Sequence, residues 1–205
     1  MSVRELRRDA ALERVVDHLL QHGLGGASLR ALAAAAGTSD RMLLYYFADK
    51  DELMFAAFER IAQRLSLRLA GMLPEGRQPF EVLLRQMWLL LKQPDYEPYQ
   101  RVWHDALGRA SEGEELYRAM ANRVLDIWVK WFEPRLDAAA SERSDQIAAI
   151  LAVACGLVVL RHIGRAGDAE VAARMLSKKE TAAAARPGGA RRQSNGAGRG
   201  DRSSG

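Results

Sequence analysis

Apolar residues recur at spacings of three and four along most of the chain, and strand-like alternation between turn residues is missing, so the pattern predicts helices. The first covers residues 4–22, with Leu12, Val15, Val16, Leu19 and Leu20 on one face, and Gly23, Gly25 and Gly26 end it. Ser28 is suited to cap a short second helix at 29–36, whose Leu32, Ala33 and Ala36 face inward. Gly37 breaks the chain there, Ser39 caps a third piece over 40–47, and Asp49 caps a long helix over 50–72. Pro74, Gly76 and Pro79 mark the next break. Further helical patterns cover 80–92, 96–111, 114–138, 143–165 and 168–178, with Pro94, Gly113, Ser141 and Gly167 near their junctions. Short connections of this kind suit a bundle of antiparallel neighbours, so the fold class is all-α.

Composition narrows the picture. A chain of 205 residues with 48% apolar content fits one or two domains around a packed core, which excludes disorder throughout. Cys155 is the only cysteine, which excludes a disulfide framework and a cysteine-based zinc site. The net charge of +4 resides in the last stretch: residues 178–205 hold seven Lys/Arg and two Asp/Glu, which leaves 23 basic and 24 acidic groups before them. Residues 179–205, rich in Ala, Gly, Arg and Ser, have nothing large to bury and are expected to form a disordered basic tail. Arg186, Arg191, Arg192, Arg199 and Arg202 could attract nucleic acid there without regard to sequence, or simply stay solvated. The amino-terminal segment lacks an apolar signal core, and the run 148–160 is too short to span a bilayer, so a cytoplasmic protein with no membrane partner is expected.

Residues 28–47, SLRALAAAAGTSDRMLLYYF, fit a helix-turn-helix. Leu29, Leu32, Ala33 and Ala36 give the first helix a small packing surface, and Gly37 can take the positive φ of a tight turn. In the second helix Leu43, Leu44 and Phe47 are expected to turn inward, leaving Asp40, Arg41, Met42 and Tyr45 for a DNA groove. Arg41 suits a guanine edge or a phosphate, and Met42 a thymine methyl. A glycine between two helices also marks an ordinary helical hairpin, so the motif alone leaves both readings open.

The stretch G-T-S-D-R-M-L-L-Y-Y-F-A-D-K-D-E-L, residues 37–53, resembles the DNA-binding headpiece of TetR-type (tetracycline-repressor-like) bacterial regulators. Gly37, Ser39, Leu43, Tyr46, Phe47, Lys50 and Leu53 match that pattern in register, as does the preceding G-x-x-x-x-S-L from Gly23 to Leu29. The chain departs from it at Leu44, where the family usually has a tyrosine, while Tyr45 occupies the variable slot that follows. The resemblance is specific over about residues 8–58 and implies that Tyr46 bonds one phosphate and Lys50 pairs with another, contacts that position without reading sequence. The candidate DNA-contacting set is Ser28, Arg30, Thr38, Ser39, Asp40, Arg41, Met42, Tyr45, Tyr46 and Lys50. Residues 1–53 hold seven basic and eight acidic groups, so Arg4, Arg7, Arg8, Arg30, Arg41 and Lys50 must lie toward DNA while Glu13, Asp17 and Glu52 face away.

The resemblance divides the chain into a three-helix headpiece at 1–55, a helical effector-binding and dimerisation bundle at 56–178, and the tail. It implies a ligand-responsive homodimeric repressor on a palindromic operator of double-stranded DNA, with a small apolar or amphipathic effector and no cofactor. Candidate pocket residues are Met87, Trp88, Trp103, His104, Tyr117, Val124, Trp128 and Trp131, each of which could instead be ordinary core. The helix at 143–165 is apolar nearly all round, so a partner copy should cover one side of it; Ile147, Ile150, Leu151, Ala154, Leu157, Val158 and Arg161 are the candidate interface. Catalysis is not expected: His18, His22 and His162 are scattered, His104 and Asp105 diverge on their helix, and no nucleophile elbow or phosphate-binding loop occurs. No metal site is expected. The alternative to a regulator is a dimeric helical small-molecule-binding or adaptor protein without specific DNA binding.

Overall fold

The computed structural model describes residues 2–177 other than Pro74. The expected disordered tail at 179–205 lies outside the described residues. Helices α1 (Val3–His22), α2 (Leu29–Ala35), α3 (Asp40–Tyr46) and α4 (Lys50–Ala70) come first. A second group follows: α5 (Phe80–Leu91), a 3₁₀ turn (Pro94–Tyr96), α6 (Glu97–Ser111), α7 (Glu115–Phe132), α8 (Arg143–His162) and α9 (Ala166–Leu176). Among the described residues the chain is all-α.

Local chemistry sets the early boundaries. Ser2 and Glu5 form a reciprocal capping box at α1, and the side chains of Ser28, Ser39 and Asp49 accept from the backbone N–H of Ala31, Met42 and Glu52. The α2 carboxyl end closes in a Schellman turn: the Gly37 N–H donates to the Ala34 carbonyl and the Thr38 N–H to that of Ala33, both at 3.0 Å. Gly37 sits at φ 67°, a conformation that costs a side chain, and a Cβ there would approach Arg14 Nη1 to 2.9 Å. That guanidinium donates to the Ala36 carbonyl at 2.8 Å, so the turn is held from α1 as well.

The largest core cluster does not stop at the headpiece. Leu12, Val15, Leu19, Leu32, Leu43, Phe47, Leu53 and Phe58 pack in one continuous body with Tyr99, Val102, Tyr117, Met120 and Val124 of α6 and α7. A second cluster joins Leu69, Met87, Leu91, Phe132, Ile147, Ile150 and Val158, and a third sets Trp88 against Leu157, Ala169 and Ala173. On the outer side, Glu13 pairs with both Arg60 and Arg64, and Arg64 with Asp17 at 2.6 Å, which ties α1 to α4. Burial pushes the Glu13 carboxyl up, but the two guanidiniums outweigh it and hold the group below the ordinary carboxylate range.

One sequence expectation is corrected. The helix expected over 114–138 ends at Phe132, because Pro134 lacks an N–H and the next residues pair elsewhere: Gln78 N–H donates to Arg135 O and Asp137 N–H to Gln78 O, each at 2.8 Å. The run at 148–160 lies within α8, which is close to the helix expected at 143–165 and by length and composition alone could cross a membrane. Its inward face packs against the protein's own core instead, through Ile147, Ile150, Leu157 and Val158.

Candidate functional site

The second helix of the helix-turn-helix is seated by Leu43 and Phe47, which are essentially inaccessible; burial of each stabilises the seat by about 1.5–3 kcal/mol. That anchoring turns the rest of α3 outward. Asp40, Arg41, Met42 and Tyr45 are exposed, and Tyr46 and Lys50 are half-buried beside them. Ser28, Arg30 and Ser39 are exposed and Thr38 half-buried, so all ten candidate DNA-contacting residues have accessible surface. Ser28 and Ser39 use an oxygen lone pair for capping, which leaves each hydroxyl hydrogen available to a phosphate.

Leu44 breaks the expectation of an inward residue. It is 40% exposed, one turn from Asp40 and Arg41, because the helical period gives Leu43 and Phe47 the core and leaves Leu44 on the outer edge. The basic residues also divide differently. Arg8 donates to the Tyr46 carbonyl at 3.2 Å, lies over the Phe47 ring and pairs with Glu52 at 3.3 Å. Glu52 in turn accepts from the Ala48 N–H at 2.6 Å, so the Arg8–Glu52 pair braces the α3–α4 turn instead of standing apart, one toward DNA and one away. Arg4 donates to the Tyr45 carbonyl at 3.1 Å and stacks on its ring. Arg7, Arg30, Arg41 and Lys50 form no ion pair among the described residues, whereas Glu13 and Asp17 are engaged on the α4 side.

A second feature lies in the bundle. A cavity of ≈ 110 Å³ is lined by Leu65 and Leu69 of α4, Met87 and Leu91 of α5, Tyr99, Gln100, Trp103 and His104 of α6, Leu125, Trp128 and Phe132 of α7, and Leu151, Ala154, Cys155 and Val158 of α8. Met87, Trp103, His104 and Trp128 were legible as candidate lining. The other four candidates lie elsewhere: Trp88 packs on α9, Tyr117 and Val124 belong to the core shared with the headpiece, and Trp131 faces Arg135, whose guanidinium is 4.1 Å from its ring centre. Gln100 is the lining residue that periodicity could not supply, a polar side chain only 6% exposed, whose Nε2 donates to the Leu91 carbonyl while Oε1 has no partner.

His104 sits between the cavity and a surface cleft, with Nδ1 2.9 Å from His162 Nδ1 and Nε2 buried without a partner. Burial first, and the His162 charge second, depress its pKa, so it is neutral at pH 7. Burial likewise pushes the Cys155 thiol up. Helix α6 also reaches the headpiece: Arg101 donates to the Leu20 carbonyl at 2.8 Å, and the Asp105 carboxylate accepts from the Leu24 N–H at 3.0 Å.

Four of the seven candidate dimer residues are corrected by their burial, and the other three have contacts within their own chain. Ile147, Ile150, Leu157 and Val158 are buried in their own chain, Leu151 and Ala154 line the cavity, and Arg161 pairs with Glu97 at 3.0 Å. On a helix apolar all round the bulkier side chains take the interior. The uncovered stripe consists of Ala148, Ala152, Gly156, Val159 and Ile163, flanked on α9 by Val171, Met175 and Leu176. Among the described residues no group of three or more His, Cys, Asp or Glu is arranged to hold a metal.

Residues 16–57 match the family model described as bacterial regulatory proteins, tetR family. Comparison with curated proteins gives no match. Among solved structures, a Rhodococcus sp. protein described as a TetR-family transcriptional regulator superposes with a TM-score of 0.64 at 23% identity, over 83% of this chain and 94% of that one. A TetR-family regulator from Cytophaga hutchinsonii gives 0.65 at 16% identity, over 86% and 94%. The multidrug binding protein EbrR complexed with imidazole gives 0.64 at 22%, over 87% and 93%. Residues 16–57 therefore match the tetR-family model, and the chain shares the fold of solved proteins described as TetR-family transcriptional regulators.

Proposed function

We propose that the protein is a cytoplasmic, non-enzymatic, ligand-responsive repressor that binds a palindromic operator as a homodimer. The observation that carries the reading is α3 itself: a helix fixed from behind by Leu43 and Phe47 and held at both ends, with Asp40, Arg41, Met42 and Tyr45 outward. Such a helix fits the major groove, with Arg41 and Met42 toward base edges and Ser28, Arg30, Ser39, Tyr46 and Lys50 toward phosphates. A second copy would cover the apolar stripe of α8 and α9, which places two headpieces on a two-fold axis.

The response would arise in the bundle. EbrR, which shares this fold, binds imidazole, and the cavity here supports a similar capacity. A ligand between α4 and α6 touches both elements that meet the headpiece, since α4 continues directly from it and α6 holds the end of α1 through Arg101 and Asp105. To release DNA, the ligand must favour the non-binding headpiece spacing by several kcal/mol. Selection of bound fragments from random duplex DNA tests the whole reading. A two-fold symmetric motif with half-sites about one helical turn apart is expected; recovery of no enriched sequence would refute specific DNA binding.

A further inference from the structure

We propose that the bundle cavity takes a small neutral molecule with an apolar body of about one ring and a single hydroxyl, and rejects cations and anions. The proposal rests on the ligand-responsive reading above and names the chemistry of its ligand.

Three observations carry it. The first is size: ≈ 110 Å³ is comparable to apolar protein cavities that hold single-ring molecules. The second is charge: none of the fifteen lining residues is Asp, Glu, Lys or Arg, and burial disfavours the charged forms of His104 and Cys155. A charged ligand would surrender its hydration here and gain no counter-ion. The third is an unmet hydrogen-bonding demand. Gln100 lies one turn before His104 on α6, both line the cavity, and each carries a buried polar atom without a partner.

The Gln100 amide is oriented by its bond to the Leu91 carbonyl, which requires the N–H side there and leaves Oε1 as an open acceptor. His104 Nε2 is an acceptor when Nδ1–H donates to His162, and a donor when Nδ1 accepts from it. A single hydroxyl meets both groups in the second state, donating its hydrogen to Gln100 Oε1 and accepting from His104 Nε2–H. A purely apolar ligand would leave Oε1 unmet.

Calorimetric titration of the full chain with phenol, toluene, benzylammonium and benzoate at pH 7 tests the assignment, and operator binding is measured alongside. Phenol should bind on the order of tenfold tighter than toluene, with neither ion bound detectably. Gln100→Leu should bring phenol down to the level of toluene, and Ala154→Leu, which fills the cavity with apolar bulk, should abolish binding of both. The proposal is overturned if an ion binds as well as phenol, if Gln100→Leu leaves the phenol-to-toluene ratio unchanged in a folded protein, or if no probe binds while operator binding persists. Phenol binding that leaves operator affinity unaltered supports the cavity assignment and refutes the ligand-responsive reading instead.

Discussion

Arg41 and Lys50 separate two kinds of contact at the level of single side chains. Arg41 is exposed on α3 and forms no ion pair among the described residues, so Arg41→Ala should cost about 1–3 kcal/mol at the preferred operator and relax selectivity there. Lys50 stands at the start of α4, and Lys50→Ala should weaken binding evenly across sequences and flatten the salt dependence by about one unit. Footprinting and salt titration on the selected operator distinguish them; identical effects of the two changes would remove the division into base and phosphate contacts. What could be read at this scale was local chemistry. Ser28, Ser39 and Asp49 cap where their positions predict, and Gly37 adopts positive φ, because each depends on neighbours within four residues. Leu44 was misplaced because one short helix with three consecutive bulky residues, Leu43, Leu44 and Tyr45, does not announce which of them meets the core.

Among the elements, α8 is where periodicity had least to say. A helix apolar on every side has no preferred face, so the sequence could ask for two covers without choosing which residues met each one. Packing made the choice by volume: Ile147, Ile150, Leu157 and Val158 fill the interior, and the slimmer Ala148, Ala152 and Gly156 remain outside with Val159 and Ile163. Small residues let a second helix approach closely, which suits them to a symmetric contact. Val159→Glu should therefore convert a dimer to monomer in sedimentation experiments with little loss of thermal stability in the monomer, since Val159 is 43% exposed. It should also reduce operator affinity, because one headpiece then reads one half-site. A variant that stays dimeric at low micromolar concentration would move the interface off this stripe. Eleven of the fifteen lining residues were hidden for a related reason: Leu65, Tyr99 and Gln100, for example, are brought to the cavity from α4 and α6, segments distant in sequence.

At the scale of the whole molecule, acid sensitivity follows from two histidines. Burial, then the nearby His22, depresses the pKa of His18; burial, then His162, depresses that of His104, against an opposing pull from Asp105. Glu97 and Arg101 line the same cleft as His104 and His162. In the unfolded chain each imidazole titrates near about 6.5, so below that value the unfolded state binds more protons than the folded one. Stability is thus fully present above pH ~6.5 and declines as pH falls toward the depressed folded values. Thermal melts should show a lower midpoint at pH 5.5 than at 7.5, and the double change His18→Gln, His104→Gln should flatten that slope. An unchanged slope would place the acid sensitivity elsewhere. The stabilisation from Glu13, a carboxylate held low by Arg60 and Arg64, is fully present across this range and is lost only in more acid solution.

The core that runs unbroken from Leu43 and Phe58 to Tyr117 and Val124 has a bearing on engineering. Reading heads of such regulators invite exchange, yet a chimera spliced at residue 55 would cut through α4 and graft foreign side chains onto a surface shaped by Tyr99, Val102 and Met120. A transplanted head would keep its specificity only if those recipient positions travelled with it.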